Sequence, residues 1–170
     1  MGGETQNINM AVKVIAAKEG KYLTFTLAAE EYGIGILKIK EIIGMIPVTS
    51  VPKMPVFVKG VINLRGKVIP VIDLRVRFGM NPIDYTERTC IIIVEVSGPF
   101  GDVMMGIVVD SVSEVLNIKS DEIDETPRFG MALNTDYILG MAKSDRSVKI
   151  LLDIDQILTA SELDSLKEAA

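Results

Sequence analysis

Residues 57–78 read FVKGVINLRGKVIPVIDLRVRF, and the fold turns on how this stretch is interpreted. Two runs of β-formers, 61–64 and 68–74, flank Arg65-Gly66-Lys67. Gly66 supplies the positive φ that a tight two-residue connection demands, so the stretch predicts a β-hairpin with Arg65 lifted into solvent at its tip. Alternation sets Ile62 and Leu64 on one face and Val61 and Asn63 on the other, so one face can pack while the other stays mixed. Pro70 lies inside the second run, where it has no N–H for a ladder hydrogen bond. That places the second strand at a sheet edge or beside a bulge.

Working outward, the chain repeats itself. Gly33 falls over Gly106, Ile36 over Val109, Ile39 over Val112, Glu41 over Glu114 and 42–43 over 115–116, at an offset of 73 (106 − 33). Further on, Gly60 falls over Gly140 and Asp73 over Asp153, at an offset of 80 (153 − 73). The leading strands, 22–27 and 91–96, also correspond. Such a period predicts two copies of a small β unit, each too small to be stable alone and packed against its twin, with a groove between them. Strand-like runs with closely spaced turn signals favour small barrels over a parallel α/β sheet. A helix is expected near the end, where 161–164, SELD, has the form of a capping box ahead of Leu166.

The segment 60–75, GVINLRGKVIPVIDLR, resembles the signature of the CheW-like family of bacterial chemotaxis coupling proteins. EYGI at 31–34, ILK at 36–38, EI at 41–42, GIVVD at 106–110 and VSEVL at 112–116 are similar to further parts of the family pattern, and the likeness runs from about residue 22 to 158. It implies an all-β fold of two five-stranded, SH3-like β-barrel lobes related by a pseudo-twofold repeat, with a C-terminal helix. The expected division is a flexible segment at 1–20, a two-lobed domain at 21–158 and a helix or tail at 159–170. Within the domain the first lobe covers about 21–85 and the second about 86–158, with some exchange of strands.

The 170 residues carry 48% hydrophobic and 24% charged residues, a soluble globular balance, and a net charge of −5. Phosphate backbones and anionic membrane surfaces are bound through concentrated Lys and Arg, so nucleic acid and direct membrane insertion are not expected. The one cysteine, Cys90, sits in an apolar run and reads as a small buried hydrophobe. No apolar run approaches the ~20 residues of a membrane helix, and 1–10 lack the form of a signal peptide. A cytoplasmic protein is expected.

Enzymatic chemistry is not expected either. The chain has no histidine, which removes the usual triads, the commonest metal ligand and the neutral-pH proton shuttle. The sequence GIGILK at 33–38 lacks the third glycine and the Lys-Ser/Thr pair of a phosphate loop. The acidic run DEIDE at 121–125 lacks the alternating ligands and central glycine of a calcium loop, and reads as a solvated connector. Asp73 and Asp153, at matching strand ends, read as capping groups. No catalytic residue, metal or cofactor is predicted. A small-molecule-binding β-barrel, or a hydrolase using Asp and Ser, is the alternative class, and stabilisation by a metabolite would favour it.

Contact is then the expected mode of action, with aliphatic residues along the inter-lobe groove and a few orienting charges. For each aliphatic residue alone, ordinary core packing is the more probable role. Arg65 has little packing to do on its glycine turn, although a surface ion pair with Glu41 is the competing account. The family resemblance is more specific. It implies a non-enzymatic adaptor, recruited to membrane receptor arrays, that couples the cytoplasmic tips of methyl-accepting chemoreceptors to the regulatory domain of the histidine kinase CheA. It assigns receptor contact to Ile36, Ile39, Glu41, Arg65, Val112, Val115 and Gly140. It assigns a kinase or ring contact to Arg128 and Phe129, with Arg128 standing where the family usually has an acidic residue. Neither a receiver nor an ATP-binding domain is expected within these 170 residues beside the two lobes.

Overall fold

The computed structural model describes residues 18–125, 136–144 and 146–169. Its strands are β1 (Gly20–Leu27), β2 (Glu30–Gly35), β3 (Ile39–Gly44), β4 (Val58–Leu64), β5 (Lys67–Asp73), β6 (Cys90–Gly98), β7 (Gly101–Val109), β8 (Ser111–Ile118), β9 (Ile123–Asp124), β10 (Ile138–Lys143) and β11 (Val148–Leu152). They form two sheets, β3-β6-β7-β5-β4 and β8-β1-β2-β11-β10-β9. The expected pair of five-stranded units is present, and one gains a sixth strand of two residues.

Each sheet closes on itself. The chain leaving edge strand β8 returns at the other edge as β9, pairing Asp124 with Met141 and Ile123 with Ala142. In the other sheet the chain leaving β3 returns as the single bridge Thr49–Val61. Because Val61 and Met141 are repeat equivalents (141 − 80), that bridge is the shortened counterpart of β9. Closure leaves few unpaired strand edges.

The sheets do not divide near residue 85. Hairpin β1–β2 joins β8 to β11, and hairpin β6–β7 joins β3, β4 and β5. The exchange therefore involves a whole leading hairpin from each repeat. Its parallel seams unite the positions that the repeat aligns. Val71 pairs with Gly106, and Leu151 pairs with Gly33. A Cβ on Gly33 would stand 3.0 Å from Leu151 Cδ2, and one on Gly106 would stand 2.7 Å from Ile91 Cγ2 and 3.3 Å from Val71 Cγ2, so both glycines admit aliphatic neighbours.

Between the sheets lies the main core, built on Phe25, Leu27, Ile34, Ile72, Leu74, Ile92, Met105, Ile107 and Leu152. Each barrel also has its own interior. Among the described residues, the five-stranded lobe encloses Ile62, Ile69, Val71, Ile91, Ile93 and Val108, and the six-stranded lobe Tyr22, Ile118, Ala142 and Leu151.

Local expectations are met unevenly. Strands β4 and β5 meet at Arg65 and Gly66, whose φ values of 51° and 86° are both positive, as a two-residue hairpin turn requires. The Gly66 N–H donates to Asn63 Oδ1 at 2.9 Å. Of the two placements expected from Pro70, the edge is not found, since β5 is interior, but the bulge is, because the β4–β5 register shifts between Val58 and Gly60, beside the Val61–Pro70 pair. Only Val71–Asp73 pair with β7, so Pro70 lies one residue short of that ladder and interrupts nothing there. Asp73 and Asp153 are caps: Asp73 Oδ1 accepts from the N–H groups of Arg75 and Val76, and Asp153 Oδ1 accepts from that of Asp155. The C-terminal helix is Ala160–Ala169, and its capping box is Thr159 with Glu162, two residues before the predicted one. Thr159 Oγ1 accepts from the Glu162 N–H while Glu162 Oε1 accepts from the Thr159 N–H, so both orphan donors are satisfied. Cys90 is half-buried rather than enclosed. The acidic run forms a 3-10 turn, Ser120–Glu122, followed by β9.

Candidate functional site

The hairpin tip carries the most exposed charge of the predicted set. Arg65 Nη1 donates to Glu41 Oε1 at 3.0 Å and Nη2 to Oε2, a two-pronged pair between the β4–β5 turn and β3. The Arg65 hydrogen bond holds the Glu41 carboxyl below its ordinary value. The pair is formed at the surface, with the Arg65 side chain 71% exposed, so it adds little stability and remains available. Beneath it opens a concavity of about 220 Å³ with Leu64, Ile69, Ile93 and Met104 as its floor and Lys40 and Lys67 at its rim. The arrangement offers an apolar patch with charged orienting groups around it.

The aliphatic members are placed differently. Ile36, in the 3-10 turn Ile36–Lys38, Ile39 at the start of β3, and Val112 on β8 are half-buried against the shared core between the sheets. Val115, on β8 opposite Leu23, is half-exposed, as is its repeat equivalent Ile42 on β3. Gly140 is buried in the bulge of β10, where a Cβ would lie 2.8 Å from Ile123 Cγ2 and 2.9 Å from the Asp124 carbonyl oxygen. Its role in the structure is to admit β9.

No single concavity gathers the whole set among the described residues. Ile36 lines a separate cavity of about 260 Å³ with Tyr22, Leu139, Leu152 and Asp153, and Glu41 and Arg65 line the one under the hairpin. Burial pushes the Asp153 carboxyl up. Arg128 and Phe129 lie outside the described residues. No group of three or more potential metal-ligating side chains occurs among the described residues, and no helix there is long and apolar enough to cross a membrane.

Sequence reading missed several surface features. Leu37 is 93% exposed between the two lobes' strands. Lys40 pairs with Glu95 at 3.1 Å, and hydrogen bonding to Lys40 holds the Glu95 carboxyl below its ordinary value. This pair joins β3 to β6, strands of different repeats, so only the repeat offset combined with strand exchange could have brought its members together.

Comparison with known proteins completes the description of the site. Residues 21–162 match the family model described as the CheW-like domain. Over 143 residues the chain is 43% identical to the chemotaxis protein CheW of Klebsiella aerogenes, covering 84% of each chain. It is 34% identical over 146 residues to the chemotaxis protein CheW of Thermotoga maritima, covering 84% of this chain and 90% of that one. The crystal structure of the scaffolding protein TtCheW from Thermoanaerobacter tengcongensis superposes with a TM-score of 0.73 at 36% identity, covering 85% of this chain and 97% of that one.

Proposed function

This chain belongs to the CheW-like family, and from that membership we propose that it holds methyl-accepting chemoreceptors and the histidine kinase CheA in one complex. It is a chemotaxis scaffold. The receptor's cytoplasmic tip docks beside the Arg65 hairpin, and the regulatory domain of the kinase engages a different face of the barrels. Ile36, Ile39, Glu41, Arg65, Val112, Val115 and Gly140 form or support the receptor face. Arg128 and Phe129 belong to the kinase or ring contact. The protein acts in the cytoplasm and reaches the membrane by binding receptors.

The observation that carries this reading is the Arg65–Glu41 pair, exposed on a rigid two-residue turn above an apolar floor. A guanidinium held by one carboxylate is oriented before a partner arrives, which lowers the ordering cost of binding. Coupling by such contacts requires no reaction and no cofactor. A scaffold raises the effective concentration of the proteins it joins and passes on changes in docking geometry.

Arg65→Ala is expected to weaken binding of a receptor cytoplasmic fragment by ~1–2 kcal/mol, the range of an interfacial arginine, with unfolding unchanged. Isothermal titration of the parent and variant measures it. Equal affinities in a folded variant would remove Arg65 from the receptor face.

A further inference from the structure

The two exchanged hairpins are locked by a matched pair of ionic clasps whose polarity is reversed. In one, Arg75, just after β5, donates through Nε to Asp110 Oδ1 at 2.8 Å and through Nη2 to Oδ2 at 3.0 Å. Asp110 is the single residue that links β7 to β8. Its Oδ2 also accepts the N–H of Ala28, at the β1–β2 turn, at 2.9 Å. In the other, Lys38, at the end of the turn that links β2 to β3, pairs with Asp155, just after β11, at 2.8 Å. Asp155 Oδ1 accepts the N–H of Ser97, near the β6–β7 turn, at 2.9 Å.

The repeat makes these sites counterparts. Arg75 and Asp155 are equivalent (155 − 75 = 80), and so are Ala28 and Ser97, at the offset of the leading strands (97 − 28 = 69). Lys38 and Asp110 fall one position apart in the repeat alignment (110 − 73 = 37). Both cations, Lys38 and Arg75, therefore lie in the first repeat, and both anions, Asp110 and Asp155, in the second. Each clasp joins unlike repeats.

We infer that this division of charge makes each leading hairpin reject a repeat of its own kind, so that copies of the chain do not join through like repeats. A hairpin docked on a like repeat would set Lys38 against Arg75, or Asp110 against Asp155. Like charges meeting at partly desolvated positions repel, where the native clasps attract. Within one chain, the like-repeat docking is already blocked by length. Gly35 pairs with Tyr22, and Ile39 pairs with Val94, whose first-repeat equivalent is Phe25 (94 − 69). The link would have to cross two strand spacings and three residues of rise, roughly 14 Å through the intervening strand. Four extended residues reach about 14 Å, with none left for a detour. The competitor is thus a like repeat on a second copy, and the clasp charges discriminate against it.

Two double variants separate this idea from simple destabilisation. Lys38→Asp/Asp155→Arg keeps an attractive clasp in the native fold but also makes both like-repeat clasps attractive. Lys38→Ala/Asp155→Ala removes the native clasp and leaves like-repeat docking neutral. Both lose the acceptor for Ser97. After refolding from urea at rising protein concentration, size-exclusion chromatography with light scattering is expected to show dimer fractions rising in the order parent, alanine variant, Asp/Arg variant, with the last severalfold above the parent. A destabilised fold that merely opens would place the alanine variant highest. That order, or equal fractions in all three, overturns the inference.

Discussion

The two lobes share one plan and fill it differently. Among the described residues, the five-stranded lobe is packed with isoleucine and valine, whereas the six-stranded lobe encloses Tyr22 and Ala142 beside Ile118 and Leu151, and a cavity of about 260 Å³ opens beside Tyr22. In exchange, the six-stranded lobe has a paired strand where its twin has a single bridge. Topology is thus set by the glycines, seams and caps that both repeats keep. The filling of each interior is left to the particular side chains, so one strand plan accommodates two different sets of enclosed residues.

The sharpest test of shared topology is at the equivalent bulge glycines. Gly60 has φ 145° and a Cβ there would stand 1.9 Å from the Thr49 carbonyl oxygen, backbone that cannot yield like a side chain. Gly60→Ala is expected to cost about 3 kcal/mol or more, combining an unfavourable φ with displacement of the closing bridge. Gly140→Ala meets Ile123 Cγ2 and the Asp124 oxygen at 2.8–2.9 Å and is expected to cost less, about 2 kcal/mol. Urea unfolding of both variants measures the difference, and a larger loss at Gly140 would break the comparison.

The clasps are the next step down. Arg75 and Asp110 are 13% and 20% exposed and bonded through two prongs, while Lys38 is 39% exposed with one short contact to Asp155. Arg75→Ala is expected to lower stability by about 2 kcal/mol, because it strands a carboxylate between lobes. Lys38→Ala is expected to cost below about 1 kcal/mol. Chemical denaturation reads both, and equal losses would mean that burial does not distinguish them.

The smallest effect is in acid. Burial pushes the Asp110 carboxyl up, but Arg75 and the Ala28 N–H outweigh it and hold the group below its ordinary value. Its contribution is therefore present at neutral pH and is lost as pH falls through the carboxylate range. Asp153 has the opposite sign, since burial raises it and protonation favours the folded form. Unfolding midpoints followed from pH 6 to pH 3 should fall less steeply in Asp110→Asn than in the parent, and more steeply in Asp153→Asn. Parallel profiles would refute the assignment.

Much of this architecture could be read from the chain because equivalence survives in the one-dimensional spacing. The offsets of 73 and 80 identified Gly33 with Gly106, Gly60 with Gly140 and Asp73 with Asp153, and the β4–β5 turn followed from Gly66. What spacing cannot say is which copy an element packs on. The partners Val71 and Gly106, or Lys38 and Asp155, are distant in sequence and belong to different repeats, so their contact depends on the hairpin exchange. Pro70 signalled the bulge beside it but not the interior position of β5, because the parallel seam stops one residue before it. In the candidate site, the Arg65–Glu41 pairing was anticipated as the competing account of Arg65. The interior position of Gly140 was not, because a bulge glycine and a contact glycine look alike in sequence.

The interlaced hairpins have a mechanical meaning. Separating the two repeats requires the parallel seams β2–β11 and β5–β7 to fail together, because each lobe is stitched with a hairpin of the other repeat. Such a body passes a push at one end to the other as rotation of a solid, with little absorbed at a hinge, which suits a component set between proteins whose small movements have to be felt.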